Sequence, residues 1–97
     1  MNKIKSHIFM GKRYQIKIGK IDKKILRLCP KCAGTCDEPK TKNKTICLDS
    51  CLHGIDLIKV AIDEGIHACC WDLDNTTVDK MSHSISQFLF RLGVRDK

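Results

Sequence analysis

Five consecutive residues, Asp63-Glu64-Gly65-Ile66-His67, set a carboxylate and an imidazole four positions apart with a second carboxylate between them. On an α-helix, positions i and i+4 project from one face, about 5–6 Å apart at Cβ. Asp63 and His67 in that register can grip one divalent cation, with Glu64 leaning over its edge. The segment is one letter from His-Glu-x-x-His, the helical pattern in which two histidines hold zinc and the glutamate is general base to a metal-bound water. Here the glutamate is intact and the first ligand has become an aspartate. A third ligand is expected from a downstream element, with the fourth position left for water. Asp79 is the choice, because two antiparallel helices would bring the first turn of the second one opposite Asp63 and His67. Asp72, Asp74 and Cys70 compete for the role.

The aspartate changes the chemistry as well as the geometry. Its side chain is shorter than histidine's, so the metal must sit nearer the helix axis or be held through water. Two carboxylates and a neutral imidazole cancel the charge of the dication, which weakens its pull on a bound water. Such a set takes zinc and also tolerates harder divalent ions such as manganese or magnesium.

The cysteines raise a separate metal question. Cys29-Pro30-Lys31-Cys32 resembles a zinc knuckle, in which two thiolates flank a tight turn. Cys47 and Cys51 supply a second pair at the spacing that a four-thiolate structural site needs, with Cys36 in reserve. The competing role for Cys47 is as a small hydrophobe facing the core from a strand. The seven cysteines are an odd number, read as free thiols or ligands in a reducing compartment.

Two kinds of element must position these groups. In the first half, Tyr14, Ile16 and Ile18 alternate with Arg13, Gln15 and Lys17, the period of a half-buried strand. His7 to Met10 is a shorter strand joined to it by a turn at Gly11-Lys12, and residues 24–29 and 44–49 read as two more. Asp37 to Asn43 is a polar, proline-bearing loop. In the second half the period becomes helical. Ile55, Ile58, Ile62, Ile66 and Cys69 mark the buried stripe of a helix over 54–70 with Ser50 as a candidate cap. Asp56, Lys59, Asp63, His67 and Cys70 form the stripe beside it. Asp74-Asn75-Thr76-Thr77 offers caps for a second helix, with Val78, Met81, Ile85, Phe88, Leu89 and Leu92 as its apolar stripe and Gly93 as its stop. Trp71 and Phe88 to Phe90 are read as core.

These patterns predict one α+β domain over residues 1–97: a small antiparallel or mixed sheet in the basic part, 1–49, followed by two packed helices in 50–97. A chain of 97 residues buries roughly 60–65% of its unfolded surface, so a large substrate cavity is not expected. Residues 1–45 hold 13 Lys/Arg against 3 Asp/Glu, a local net of +10, whereas 46–97 hold 5 against 8, a net of −3. The basic half is suited to a nucleic-acid backbone or an acidic protein. No apolar run approaches the ~20 residues that cross a bilayer, and the first residues lack the apolar core of a secretory signal. The expected setting is cytoplasmic, without a membrane.

The stretch from Lys44 to Arg95 carries a resemblance. Lys-Thr-Ile-x-Leu-Asp-Ser, Asp-Glu-x-x-His-Ala, Trp-Asp-Leu-Asp and Phe-Leu-Phe-Arg-Leu-Gly-Val-Arg follow one another, and together they resemble a family of small phage and prophage metallopeptidases similar to SprT-like zincins. Gly34-Thr35-Cys36-Asp37-Glu38-Pro39 adds to the match. The resemblance implies a minimal zincin fold and a phage-encoded protein in a bacterial host. It implies a metal at the positions of Asp63, His67 and Asp79, with Glu64 as base, and attack of metal-activated water on a peptide or protein substrate. The alternative is a non-catalytic binding protein of phage type that keeps the scaffold and turns its basic strands toward an acidic partner or nucleic acid.

Overall fold

Residues 4–20 and 33–94 are described by the computed structural model; the strand expected at 24–29, with Cys29 and Cys32, lies outside them. The alternating residues do form strands. β1 (Ser6–Phe9) and β2 (Lys12–Gly19) pair antiparallel through a two-residue turn. Met10 and Gly11 occupy it at φ +49° and +79°, the pair of positive values that matches a hairpin turn to strand twist. β3 (Gly34–Cys36) and β4 (Thr45–Asp49) follow. The sheet order is β1-β2-β4-β3, with β2 and β4 parallel and the outer pairs antiparallel. Two helices complete an α+β architecture, α1 (Gly54–Cys69) and α2 (Asn75–Arg91).

The register places Tyr14, Ile16, Ile46, Leu48 and Cys36 on one face of the sheet, against which α1 packs. Tyr14, Ile46, Leu48, Leu57 and Ala68 are the buried centre, with Phe9, Ile16, Leu52 and Val60 around them. Tyr14 is fully enclosed. Its ring meets Phe9 edge-on at 5.7 Å, and its hydroxyl donates to the Asp37 carbonyl at 3.2 Å, which satisfies the one polar atom a buried tyrosine brings with it. A close approach of α1 to β3 depends on Gly34, where a Cβ would stand 2.7 Å from Val60 Cγ1.

Several details differ from the pattern in the sequence. The residue before α1 is His53, not Ser50, and its side chain makes no capping bond. Asp49 organises this entry instead, accepting from the Cys51 amide at 2.9 Å. The deepest line of α1 is Leu57, Glu64 and Ala68, displaced from the expected stripe, whose isoleucines are only half-buried and whose Cys69 is exposed. Asp74 caps α2 as expected, accepting from the Thr77 amide at 3.0 Å and its hydroxyl at 2.6 Å.

The largest departure is on α2. Its buried residues are Val78, Ser82 and Ser86, whereas Met81, Ile85, Phe88 and Leu92 are 40%, 39%, 62% and 64% exposed. Trp71, also expected in the core, is 41% exposed. Small side chains on the contact line let two helices approach closely, and among the described elements α2 packs only on α1. The order is therefore sheet, α1, α2, with the other face of the sheet carrying Arg13, Gln15 and Lys17 to solvent.

Candidate functional site

Because α1 lies between the sheet and α2, residues 63–67 are divided between two neighbourhoods. Asp63 turns toward α2. Its Oδ1 accepts a hydrogen bond from the Ser82 hydroxyl, and its Oδ2 lies 3.3 Å from Lys59 Nζ. The same ammonium donates to Asp79 Oδ1 at 2.7 Å. Asp63 and Asp79 are thus brought together as the sequence predicts, and the cation between them is the side chain of Lys59. Its stem is half-buried, with 27% of the side chain exposed against 22% for Asp63. The bond to Asp79 raises the Lys59 pKa, with burial opposing and Asp63 adding to the rise. Its counterpart is a lowered Asp79, held down by Lys59.

Glu64 points the other way, toward β3. It is 7% exposed, and its Oε2 is buried with no hydrogen-bond partner among the described residues. Burial, with a smaller contribution from Asp63, pushes its pKa up to about 7. It borders an open cleft of about 400 Å³ lined also by Gly34, Thr35, Cys36, His67 and Asn75. Trp71 forms part of the rim, its ring 6.1 Å from that of His67 in an edge arrangement. Cys36, on the same cleft, is held as the thiol. Burial and then the Glu64 carboxyl push its thiol up to about 12, and the thiolate is the reactive form.

The i, i+4 register therefore keeps Asp63 and His67 on neighbouring parts of α1, but their functional atoms are committed to different surroundings. The imidazole lines the cleft with Glu64, and the two carboxylates meet at the α1–α2 contact. Among the described residues no group of three or more His, Cys, Asp and Glu side chains is placed to hold a metal ion. The carboxylate donors expected there already have partners. Charge balance between Asp63 and Asp79 is already supplied by an ammonium, and Ser82 takes up Asp63 Oδ1.

Of the competing ligands, Asp74 is occupied as the helix cap, with its pKa lowered by Thr77, and Cys70 is exposed beyond the end of α1. Glu64 keeps the environment of a tuned acid, buried and next to a cleft. As for the cysteine pairs, Ile46 and Leu48 face the core, so Cys47 lies on the opposite, open face, opposite Lys17 and Thr35. Cys36 lies on the core face and cannot share a site with it. Cys51 is exposed, and the partners expected for this pair, Cys29 and Cys32, are outside the described residues.

Lys59 and Ser82 are the residues that the motif did not single out. A signal for Lys59 was present, since a lysine four positions before an aspartate on a helix forms an ion pair along one face. Ser82 gave none, because a serine three positions after Asp79 reads as ordinary helix surface.

The end of β2 borders a second concavity, reached from the open face by Lys17 and Cys47. Lys17, Ile18, Gly19, Lys20 and Cys47 line a groove of about 420 Å³, with Arg13 further along the same strand and bonded to Ser6 Oγ at 2.8 Å. Among the described residues no helix is long and apolar enough to cross a membrane. No protein-family model, curated protein or solved structure matches the chain.

Proposed function

We propose that the chain is a non-catalytic binding protein on a metallopeptidase-like scaffold, and that it engages a polyanionic partner, a nucleic acid or an acidic protein, through the open face of its sheet. The observation that carries this reading is Lys59, whose ammonium lies 3.3 Å and 2.7 Å from the carboxylates of Asp63 and Asp79. Hydrolysis by the chemistry of His-Glu-x-x-His requires a Lewis acid at that position to lower the pKa of a water. An ammonium balances the two charges and has no empty coordination position for water or a peptide carbonyl. The scaffold and the buried glutamate remain, while the step that the metal would perform has no agent.

Binding falls to the other side of the molecule. Arg13 and Lys17 alternate outward from a strand whose inward residues are fixed by the core, so their spacing is set by the fold rather than by flexible loops. Lys20 lines the groove with Lys17. Phosphate or carboxylate groups entering there release counterions, which makes affinity fall steeply with salt. The measurement is fluorescence anisotropy with a labelled DNA duplex and with polyglutamate. Two to four contacts predict about a 10- to 200-fold loss of affinity between 50 and 200 mM salt. Exchanging Lys17→Glu together with Lys20→Glu is expected to weaken binding at least ~10-fold, as removal of two contacts and introduction of two repulsions should. Salt-insensitive binding, or none to either polymer, would remove this reading.

A further inference from the structure

The cleft beside Glu64 differs from the rest of the surface in its charge. The chain carries 18 Lys and Arg against 11 Asp and Glu, yet none of the described residues lining this cleft is a lysine or an arginine, and Glu64 is the one acid among them. We propose that the cleft binds a guanidinium group, with the Glu64 carboxylate as its counterion and the Trp71 ring stacked against its plane.

The carboxyl itself gives the first reason. Glu64 is more than nine-tenths buried, it lines the cleft, and its Oε2 has no hydrogen-bond partner among the described residues. A buried carboxylate without a donor is costly, and the described lining supplies no cation to offset it. The terminal torsion of a glutamate is broad, so either oxygen can turn to a donor that enters the cleft. A cation brings the donor and the compensating charge in one group. No second anion competes for it, because Cys36 stays a thiol on the same wall.

The rim narrows the choice of cation. Trp71 is exposed, and its ring stands 6.1 Å from that of His67 at 64°, so two rings set at an angle border the opening. A guanidinium stacks on aromatic rings and is more weakly hydrated than an ammonium. Thr35 and Asn75 add neutral side-chain acceptors to the lining, which suits a group with five N–H donors in one plane. The volume of about 400 Å³ lies near the small end of the ~300–1,000 Å³ typical of small-ligand sites. The cleft shares no lining residue with the groove of Lys17 and Lys20, so the proposal does not depend on polyanion binding there.

A guanidinium enters such a cleft on a free small molecule or as the arginine side chain of a protein. Trp71 is the single tryptophan of the chain, so its fluorescence reports occupation at the rim. The test is a titration of the full chain at constant ionic strength and pH 8, above the value of about 7 to which burial raises Glu64. The probes are ethylguanidinium, a capped Gly-Arg-Gly tripeptide and neutral ethylurea. Ethylguanidinium is expected to give a saturable change with half-saturation at about 0.1–10 mM, the range for one charge-assisted pair and one ring contact. Glu64→Gln should weaken it at least ~10-fold by removing the charge, and circular dichroism should show that the variant is folded. Should it fail to fold, Thr35→Val is expected to weaken binding about 3-fold through one lost neutral acceptor. Tripeptide binding at least as tight as ethylguanidinium marks a protein side chain as the source and weaker binding marks a small molecule; both support the site. No saturable change up to about 50 mM, an unchanged response in a folded Glu64→Gln variant, or equal affinity for ethylurea overturns the proposal.

Discussion

Replacing Glu64 by glutamine is expected to make the protein more stable at pH 8, by about 2 kcal/mol, and less stable at pH 4.5, by up to about 1 kcal/mol. The sign follows from the direction of the shift. Burial raises the folded-state pKa to about 7 from an ordinary 4.5, so the fold prefers the neutral acid. That contribution is fully present below the unfolded value, is lost as pH rises toward 7, and stays lost above it. A shift of this size corresponds to about 3 kcal/mol at ~1.4 kcal/mol per pKa unit, and glutamine returns part of it because its amide brings two donors into a site where Oε2 already has no partner. In a domain of this length the remainder is worth about 8–15 °C in Tm. Thermal unfolding of the two proteins at a series of pH values checks it: the variant should melt slightly below the wild type near pH 4.5, and the order should reverse as pH rises to 7. A difference that does not change with pH would mean that Glu64 is solvated. Buried acids with raised pKa values cluster in clefts where chemistry or binding occurs, and Glu64 borders one with His67 and Trp71.

Lys59→Ala is expected to create the cation site that the wild type lacks. Lys59 links Asp63 to Asp79, and without its ammonium the two carboxylates, with the Ser82 hydroxyl on Asp63, face the space that it occupied. They repel, and a divalent cation relieves the repulsion. Manganese is the suitable probe, since oxygen donors favour it and thiolates do not, which keeps the seven cysteines out of the measurement. Calorimetric titration should find manganese bound at least ~10-fold more tightly by Lys59→Ala than by wild type. The metal-free variant should unfold at lower temperature, and saturating manganese should restore it through preferential binding to the native state. Adding Asp63→Asn to the variant should abolish the gain. Equal affinities for wild type and Lys59→Ala would show that the lysine does not hold the place of a metal.

How much of this was legible in the chain depends on what each residue had to declare. Tyr14, Ile16 and Ile18 alternating with Arg13, Gln15 and Lys17 specify both a strand and its buried side, because period two allows only two faces and only one of them is apolar. Asp74 followed by Thr77 declares a helix start for a local reason, the free amides of a first turn. The stripe of α2 misleads because periodicity identifies an apolar face without saying which face will be covered. Ser82 and Ser86 win the contact with α1 because they are small and because the Ser82 hydroxyl has a carboxylate to donate to. The sequence did not declare how the side chains of the candidate site are arranged. Lys59 and Asp63 lie on the predicted stripe beside the apolar one and Asp79 in the predicted second helix, but the direction each carboxylate turns is decided by contacts twenty residues away, such as Lys59 to Asp79. Glu64 was singled out by its motif, while its burial comes from the approach of β3 at Gly34, which no local pattern contains.

The most direct test of the central claim, that Lys59 takes the place of a metal between Asp63 and Asp79, is metal content per chain in protein purified without added ions. It should be measured on the wild type, on His67→Ala, and on Cys29→Ser with Cys32→Ser. The account predicts that His67→Ala leaves the content unchanged and that any metal present is lost only with the cysteines. Loss of one equivalent of zinc in His67→Ala, with the cysteine variant still loaded, would contradict it and restore a metal to the helix.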